Sequence, residues 1–250
     1  MSFASRRSAL AALAVAIGLA LTPATALAEG AELYRMYNPA SGEHLYTSHP
    51  EERDALQENG WNYEEDQTNL IPGGPYEGAI SVYRLYNPVT TEHLYTTDLN
   101  EMDVLTKERG WKFDFSGEPA FYGATGYYTD VVPMYRIYNT AAPNFGHLFT
   151  TDENERNTWL NAPNSTWNDE GVAWYTYGKP SQLSEEDSYP SMPDFNAKDP
   201  EDATRVAETL TDLTGYTRDE LIEDLKRQGY EEPAISQAVE AVKDSLITSR

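Results

Sequence analysis

The sequence predicts a mainly β fold, a three-repeat β-trefoil-like domain followed by a small three-helix C-terminal module. A block of alternating apolar and polar residues recurs three times between positions 31 and 180. After position 200 the apolar residues return at the three- and four-residue spacing of helices instead. We therefore divide the chain into segments 1–28, 31–180, 181–200 and 201–250.

Segment 1–28 has the three parts of an export signal. Arg6 and Arg7 form a basic start, an apolar run extends from Leu10 to Leu21, and Ala26-Leu27-Ala28 is a small-x-small cleavage site. The apolar run is short for a bilayer span. We expect cleavage with no membrane insertion afterwards, and a secreted, extracellular protein for which association with the cell envelope remains open.

Composition excludes several classes of function. The 250 residues carry 41 acidic and 18 basic side chains, a net charge of −23. Such acidity argues against binding nucleic acid, which needs a basic surface, and against adhesion to anionic lipid. Because the chain has no Cys, it has no disulfide scaffold, thiol nucleophile or cysteine-linked lipid.

Each of the three repeats begins with two strand-like blocks. The first block reads LYRMYNP from position 33, VYRLYNP from 82 and MYRIYN from 134. The second reads EHLYTS from 43, EHLYTT from 92 and GHLFTT from 146. Their period-2 alternation and high Tyr, Val and Thr content are typical of strands, and Asn-Pro initiates a turn.

The later part of each repeat adds a helical stretch and further strands. An acidic segment follows the second block, and then GW at position 60, GW at 110 and TW at 166. Three copies of a four-strand unit predict a β-trefoil, with closure removing exposed sheet edges. A three-unit, propeller-like array is the alternative.

These blocks resemble an uncharacterised bacterial and fungal secreted repeat domain marked by YRLYN, EHLYTT and GW motifs. The resemblance covers about 31–180. It implies an extracellular accessory module that binds glycans, and it supplies no catalytic residues.

Three histidines occupy equivalent repeat positions, and they have two interpretations. His44, His93 and His147 could meet on a pseudo-threefold axis and bind a metal ion. The favoured interpretation is structural, with each His at a hairpin and hydrogen-bonded within its own repeat, so we expect no metal and no cofactor. The sequence contains no recognised catalytic motif, and we assign no catalytic residue.

Recurring Tyr and Arg residues are the candidate ligand-binding groups. Aromatic faces are platforms for sugars, and Tyr37, Tyr86 and Tyr138 recur on the strand face opposite the predicted core. Arginines recur beside them, and we expect these to pair with acids such as Glu43 and Glu92; an anion pocket is the alternative. The Arg set is Arg35, Arg84 and Arg136. The Trp set, which we assign to the core, is Trp61, Trp111 and Trp167.

The C-terminal segment predicts three helices after an acidic Ser/Pro linker over 181–200. The first helix carries apolar residues at Val206, Leu210 and Leu213 and ends at Gly215. A second begins with a Thr217-x-x-Glu220 capping box, buries Leu221, Ile222 and Leu225 and ends at Gly229. A third opens at Pro233 and carries apolar residues as far as Leu246.

This C-terminal segment resembles the small helical repeat of host-cell-surface-exposed lipoproteins. The residues that carry the likeness are Tyr216-Thr217, Leu221-Ile222, Leu225, Gly229-Tyr230 and Ala238-Val239. Some members of that family block phage DNA entry, which implies a protein partner for these helices. Glu240-Ala241 stands where that family has Asp-Asn, and the missing Cys removes the lipid tether.

Together these features predict a secreted, noncatalytic protein of the cell surface or cell wall that binds cell-wall or host glycan through its repeats. Two alternatives remain open. One is a cell-wall or polysaccharide hydrolase that uses carboxylates. The other is a phage-exclusion or protein-interaction factor that acts through the C-terminal helices.

Overall fold

A computed structural model describes residues 30–74, 79–126, 131–141, 146–179 and 196–248. The predicted signal at 1–28 and most of the predicted linker lie outside these residues. None of the helices within the described ranges combines the length and the apolar character needed to cross a bilayer.

The described strands belong to three successive repeats. Each repeat opens with a long strand that pairs with the short strand after it, in the same register each time: Tyr37 opposes His44, Tyr86 opposes His93 and Tyr138 opposes His147. The strands of the first repeat are β1 (Ala31–Tyr37), β2 (His44–Thr47), β3 (Asn62–Tyr63) and β4 (Asn69–Ile71). Those of the second are β5 (Ala79–Tyr86), β6 (His93–Thr96), β7 (Lys112–Phe113) and β8 (Phe121–Ala124). Those of the third are β9 (Val132–Asn139), β10 (His147–Thr150) and β11 (Trp167–Thr176).

The predicted turns after the first strands are confirmed. The side chain of Asn38 accepts a hydrogen bond from the amide of Ala40, and that of Asn87 accepts one from the amide of Val89. Asn139 does the same for Ala141 without a following Pro. The Asn side chain is therefore the common element, because it hydrogen-bonds the backbone two residues on.

The β strands form two antiparallel sheets. β1 pairs with β2, β3 and β4 in a four-stranded sheet, and the other seven strands form a second sheet in which β11 lies between β9 and β8. The described strands do not close into a barrel. With six α-helices as well, the fold is mixed, so the expectation of a mainly β chain holds only for the repeats.

Each repeat also contains the expected helix after its second strand. These helices are α1 (Pro50–Glu58), α2 (Leu99–Asp103) and α3 (Glu153–Leu160), and α2 continues as a π-helical turn. Asp98 and Asp152 cap α2 and α3 by accepting backbone amide hydrogen bonds, while α1 starts at Pro50 after His49.

The C-terminal helices are α4 (Pro200–Thr214), α5 (Arg218–Arg227) and α6 (Glu232–Ala241). The end of α4 at Gly215, where φ is +66°, and the capping box at Thr217 are confirmed. α4 begins inside the predicted linker. α6 ends earlier than expected, because Val242 already leaves the helical conformation and Leu246 lies beyond it.

An aromatic cluster lies where the three repeats meet. Tyr46, Tyr95 and Phe149 take equivalent places in β2, β6 and β10, and their ring centroids are 5.4 to 5.6 Å apart with edge-on geometry. All three side chains are buried. Aromatic rings at these distances attract edge to face, so the cluster joins the repeats around a common centre.

Candidate functional site

The repeats contact one another through three clusters of charged side chains, which we call seams 1–2, 2–3 and 3–1 after the repeats they join. In seam 1–2, Arg84 donates from Nε to Asp114 at 2.6 Å and from its two terminal nitrogens to Glu52 at 2.8 and 3.1 Å. His93 approaches Glu43 through Nδ1 at 2.7 Å. Arg84 and His93 belong to the second repeat, and Glu52 and Glu43 to the first.

Seam 2–3 repeats this arrangement one unit further along the chain. Arg136 donates to Glu170 at 2.6 Å and in bidentate fashion to Glu101 at 2.7 and 2.8 Å. His147 approaches Glu92 at 2.8 Å through Nδ1. Each of these basic residues again reaches back to an acid of the preceding repeat.

Seam 3–1 returns the arrangement to the start of the chain. Arg35 donates to Glu64 at 2.7 Å and to Glu155 of the third repeat at 2.8 and 3.0 Å. Because the first repeat binds the third in the way that the second binds the first, the contacts are cyclic. His44 has no counterpart of the Glu43–His93 contact in this seam, since Gly146 stands at the corresponding position.

The Tyr138 ring leaves no room for a side chain at position 146, where the other two repeats have Glu. A Cβ placed there would lie 2.2 Å from Cε2 of Tyr138, whose ring lies against that of His147 with centroids 4.7 Å apart. A side chain at this position therefore requires the Tyr138 ring to move.

The candidate tyrosines form the outer part of the three clusters. The rings of Tyr37, Tyr86 and Tyr138 lie against those of His44, His93 and His147, with centroids 4.7 to 5.0 Å apart. All three tyrosines are half-buried. They are placed together with the candidate arginines, one Tyr and one Arg in each seam.

The arginines of the seams lower the pKa values of the helix carboxylates that they contact. Burial by itself would raise the pKa of Glu52, but the charge and hydrogen bonds of Arg84 bring that pKa below its usual value. The same balance lowers the pKa of Glu101 beside Arg136 and of Glu155 beside Arg35. These carboxylates are therefore ionised at neutral pH.

His44 behaves differently from a surface histidine. Burial, together with the positive charge of Arg35, lowers the pKa of His44 to about 3. The imidazole is neutral at physiological pH and serves as a flat ring packed between Tyr37 and Glu64.

Two expectations about partners need correction. The arginines do pair with acids, but with Asp114, Glu64 and Glu170 and with helix acids, whereas Glu43 and Glu92 bind histidines instead. Each guanidinium already donates to two carboxylates, so these arginines do not form the alternative anion pocket.

The recurring strand face that carries Arg35 and Arg84 is buried, although the sequence pattern assigned the core to the opposite face alone.

The histidines do not meet on the central axis, and His93 and His147 contact acids of the preceding repeat rather than of their own. Each lies in its own seam, and the axis is filled by the aromatic cluster of Tyr46, Tyr95 and Phe149. Within the ranges that the structure describes, no three His, Asp or Glu side chains are arranged to hold a metal ion.

The repeating Trp residues lie outside the fully buried core to which the sequence pattern assigned them. Trp61, Trp111 and Trp167 are all half-buried. Trp111 packs against the buried cluster that includes Tyr83 and Met102. Trp167 lies against Trp159, with ring centroids 5.3 Å apart.

Sequence reasoning missed the helix acids that bind the arginines, Glu52, Glu101 and Glu155. A signal for them exists, since each lies eight residues after the repeat histidine. Among many acids, only that constant offset distinguishes these three from their neighbours.

These observations define a class of protein: a three-repeat domain, joined by cyclic charged seams, with a helical C-terminal module packed against it. Residues 32–177 match a family described as Domain of unknown function (DUF5648). This match covers more than half of the chain, and the chain belongs to that family. No curated protein and no solved structure matches it.

Proposed function

We propose that the chain is a secreted, noncatalytic protein of the cell surface or cell wall that binds glycan through its repeat domain. The observation that carries this proposal is the threefold recurrence of a half-buried Tyr ring packed against a His ring in each seam, with interplanar angles of 32° to 39°. Sugar rings bind to aromatic faces flanked by hydrogen-bonding groups, and each seam offers carboxylates beside its aromatic pair.

The charge state of the seams favours binding over hydrolysis. A glycosidase needs one carboxylic acid with a raised pKa to protonate the leaving oxygen. Arg84, Arg136 and Arg35 instead lower the pKa values of Glu52, Glu101 and Glu155. The hydrolase alternative therefore receives less support from the seams than a binding function does.

A protein-interaction role for the C-terminal helices is the second candidate. The apolar residues of these helices, such as Leu210, Leu221, Leu225 and Ile235, are buried. A partner would have to bind their charged outer surface. Deletion of residues 181–250 with no change in phage sensitivity or partner binding would contradict this role.

The β-trefoil-like arrangement is likewise a proposal at the level of the repeats. The cyclic Arg–carboxylate contacts support threefold symmetry, while the strand pairing does not supply a six-stranded barrel. An experimental structure in which the three repeats do not superpose around the Tyr46–Tyr95–Phe149 cluster would exclude it.

The glycan proposal is tested by pull-down on purified peptidoglycan and by a glycan array, with the mature full chain and a variant combining Tyr37→Leu, Tyr86→Leu and Tyr138→Leu. Leucine keeps apolar bulk but removes the aromatic face. We expect retention by at least one glycan class at millimolar ligand, and a roughly tenfold or greater loss in the variant.

The matched control is Trp159→Leu, which removes an aromatic ring that is 42% exposed and lies outside the Tyr set. We expect this variant to bind like the unmodified chain. Absence of any retention, or equal binding by the triple variant at an unchanged melting temperature, would contradict the proposal.

A further inference from the structure

A cavity of about 250 Å³ lies in seam 2–3, next to the helical module. Leu213 of α4 contributes to its wall, opposite residues of the second and third repeats. The residues that line it include Tyr95, Thr97, Asp98, Glu101, Arg136 and Val172. In this seam two carboxylates occupy the guanidinium nitrogens of Arg136, which also lines the cavity.

The corresponding place in seam 1–2 is filled by an aromatic ring from the chain itself. The guanidinium carbon of Arg84 lies 4.7 Å from the centroid of Phe115, and His49 stacks on the same ring at 5.6 Å with an interplanar angle of 17°. The equivalents of Arg84 and His49 in seam 2–3 are Arg136 and Asp98. Both line the cavity.

The third repeat lacks that ring because Gly171 stands where the second repeat has Phe115. Each follows the acid that binds Arg Nε, Asp114 in one repeat and Glu170 in the other. A Cβ built on Gly171 would meet nothing within 4 Å. The cavity is lined by Arg136 and Asp98, the counterparts of the two residues that pack on Phe115 in seam 1–2.

The charge of the cavity differs from that of its filled counterpart. Asp98, Glu101 and Glu170 line it with one base, Arg136, whereas seam 1–2 has His49 in the place of Asp98. A group that enters the cavity therefore meets an excess of negative charge. A positively charged neighbour would stabilise an aromatic ring held there.

We propose that this cavity binds an aromatic side chain of a partner polypeptide, with a basic residue next to the aromatic one in that partner. The ring stacks on the guanidinium face of Arg136, as Phe115 stacks on Arg84, and packs on Val172 and Leu213. The adjacent ammonium lies near Asp98. The cavity lies in the same seam as one of the proposed glycan surfaces, but none of the candidate tyrosines lines it.

The test uses the mature full chain and ¹⁹F NMR of a capped peptide, Gly-(4-fluoro-Phe)-Lys-Gly amide. We expect saturable line broadening. Unlabelled competitor peptides are then titrated against the labelled peptide. Replacing Phe with Leu should weaken the affinity at least tenfold. Replacing Lys with Glu should weaken the affinity severalfold, and more strongly at low salt.

A matched pair of variants locates the site. Val172→Phe fills the cavity from its wall, and Val89→Phe adds the same ring at a position that is 88% exposed. We expect Val172→Phe to lose at least tenfold in affinity and Val89→Phe to bind normally. Leu213→Trp, which closes the cavity from α4, gives a second blocking variant if the first lowers the melting temperature.

Four results would overturn the proposal. The first is equal binding of the Leu and Phe peptides, and the second is unchanged binding by both blocking variants when these remain folded. The third is binding that appears only after Tyr189→Ala and Phe195→Ala, which would assign the cavity to an aromatic residue of this chain. Displacement of the peptide by soluble peptidoglycan fragments would assign it to a glycan instead.

Discussion

At the scale of single residues, the seams show what is needed to bury a guanidinium. The side chains of Arg35 and Arg84 are only 5% exposed, and each donates to two different carboxylates. Removing a cation from water is costly unless every donor finds an acceptor, and the bidentate geometry of Glu supplies two at once. The arginines therefore fix the relative positions of two repeats.

The first prediction follows from the buried state of these pairs. Arg84→Met leaves Glu52 and Asp114 without their shared cation, and the free energy of unfolding should fall by about 3–5 kcal/mol. Urea denaturation monitored by tyrosine and tryptophan fluorescence measures this change.

The control for Arg84 is Lys107→Met, which breaks the exposed Lys107–Asp103 pair on one helix. Because solvent screens that pair, we expect a change of about 0.5 kcal/mol or less. Similar losses in the two variants would show that the seam contributes no more than a surface ion pair.

The residue types of the seams could be predicted from sequence, but their partners could not. The recurrence of Arg, His and Tyr at fixed positions singles out these residues in the sequence, but it does not predict that they join one repeat to the next. The acids on Arg84 come from residues 32 positions earlier and 30 later. The constant offset of eight residues from the repeat histidine separates Glu52 from Glu51, but it does not say which Arg the acid contacts.

At the scale of secondary-structure elements, the short strands β2, β6 and β10 join the repeats through their aromatic residues. The hydroxyl of Tyr95 donates to the carbonyl of Tyr46 and accepts from its amide, both at 2.8 Å. The hydroxyl of Tyr46 does the same for Phe149, at 2.6 and 2.9 Å. Phe149 has no hydroxyl with which to continue this sequence of bonds.

The second prediction concerns these interstrand hydroxyls. Tyr46→Phe keeps the ring but leaves the amide and carbonyl of Phe149 without that partner in a buried place. We expect the free energy of unfolding to fall by about 1–3 kcal/mol, because an unsatisfied buried polar group is costly. Differential scanning calorimetry should show a lower melting temperature.

Tyr86→Phe is the comparison for this element, since it removes a hydroxyl from a half-buried ring in a seam. Its effect should stay within about 0.5 kcal/mol. A melting temperature for Tyr46→Phe equal to that of Tyr86→Phe would mean that the central hydroxyl does not stabilise the repeats.

At the scale of the whole molecule, the helical module is part of the same core as the repeats. Residues of both regions, such as Trp174 and Val206, belong to one buried apolar cluster. Tyr216 donates a hydrogen bond to the carbonyl of Thr97 in the second repeat at 2.7 Å. Its hydroxyl also lies 3.2 Å from the carboxyl of Asp224 on α5.

The third prediction uses Asp224 to test this packing by pH. Burial raises the pKa of Asp224 to about 7, against the lowering effects of Tyr216 and Arg227, while the charge of Asp98 adds to the increase. A carboxyl that holds its proton more tightly when folded stabilises the protein most at low pH. That contribution is lost as the pH rises from about 4 through 7.

Asp224→Asn removes this titration. We expect the stability of the variant relative to the unmodified chain to increase between pH 4 and pH 8, by at most about 4 kcal/mol, in chemical denaturation at each pH. Glu223→Gln, on the exposed side of the same helix, should leave the pH profile unchanged. If the difference in stability between Asp224→Asn and the unmodified chain does not change with pH, the pKa of Asp224 is not raised by folding.

The sequence by itself determined the threefold repeat, its strand and turn positions, and the change to helices after position 200. These features depend on side-chain periodicity and on the local chemistry of Asn, Gly and Thr217, which act within a few residues. Only the tertiary structure decided that both faces of β1 and β5 are buried, that the seams connect the third repeat back to the first, and that the helices pack on the repeats. Such contacts join residues far apart in the chain. Their energy depends on the distance between the groups and on their burial, and neither can be read from the spacing of residues along the sequence.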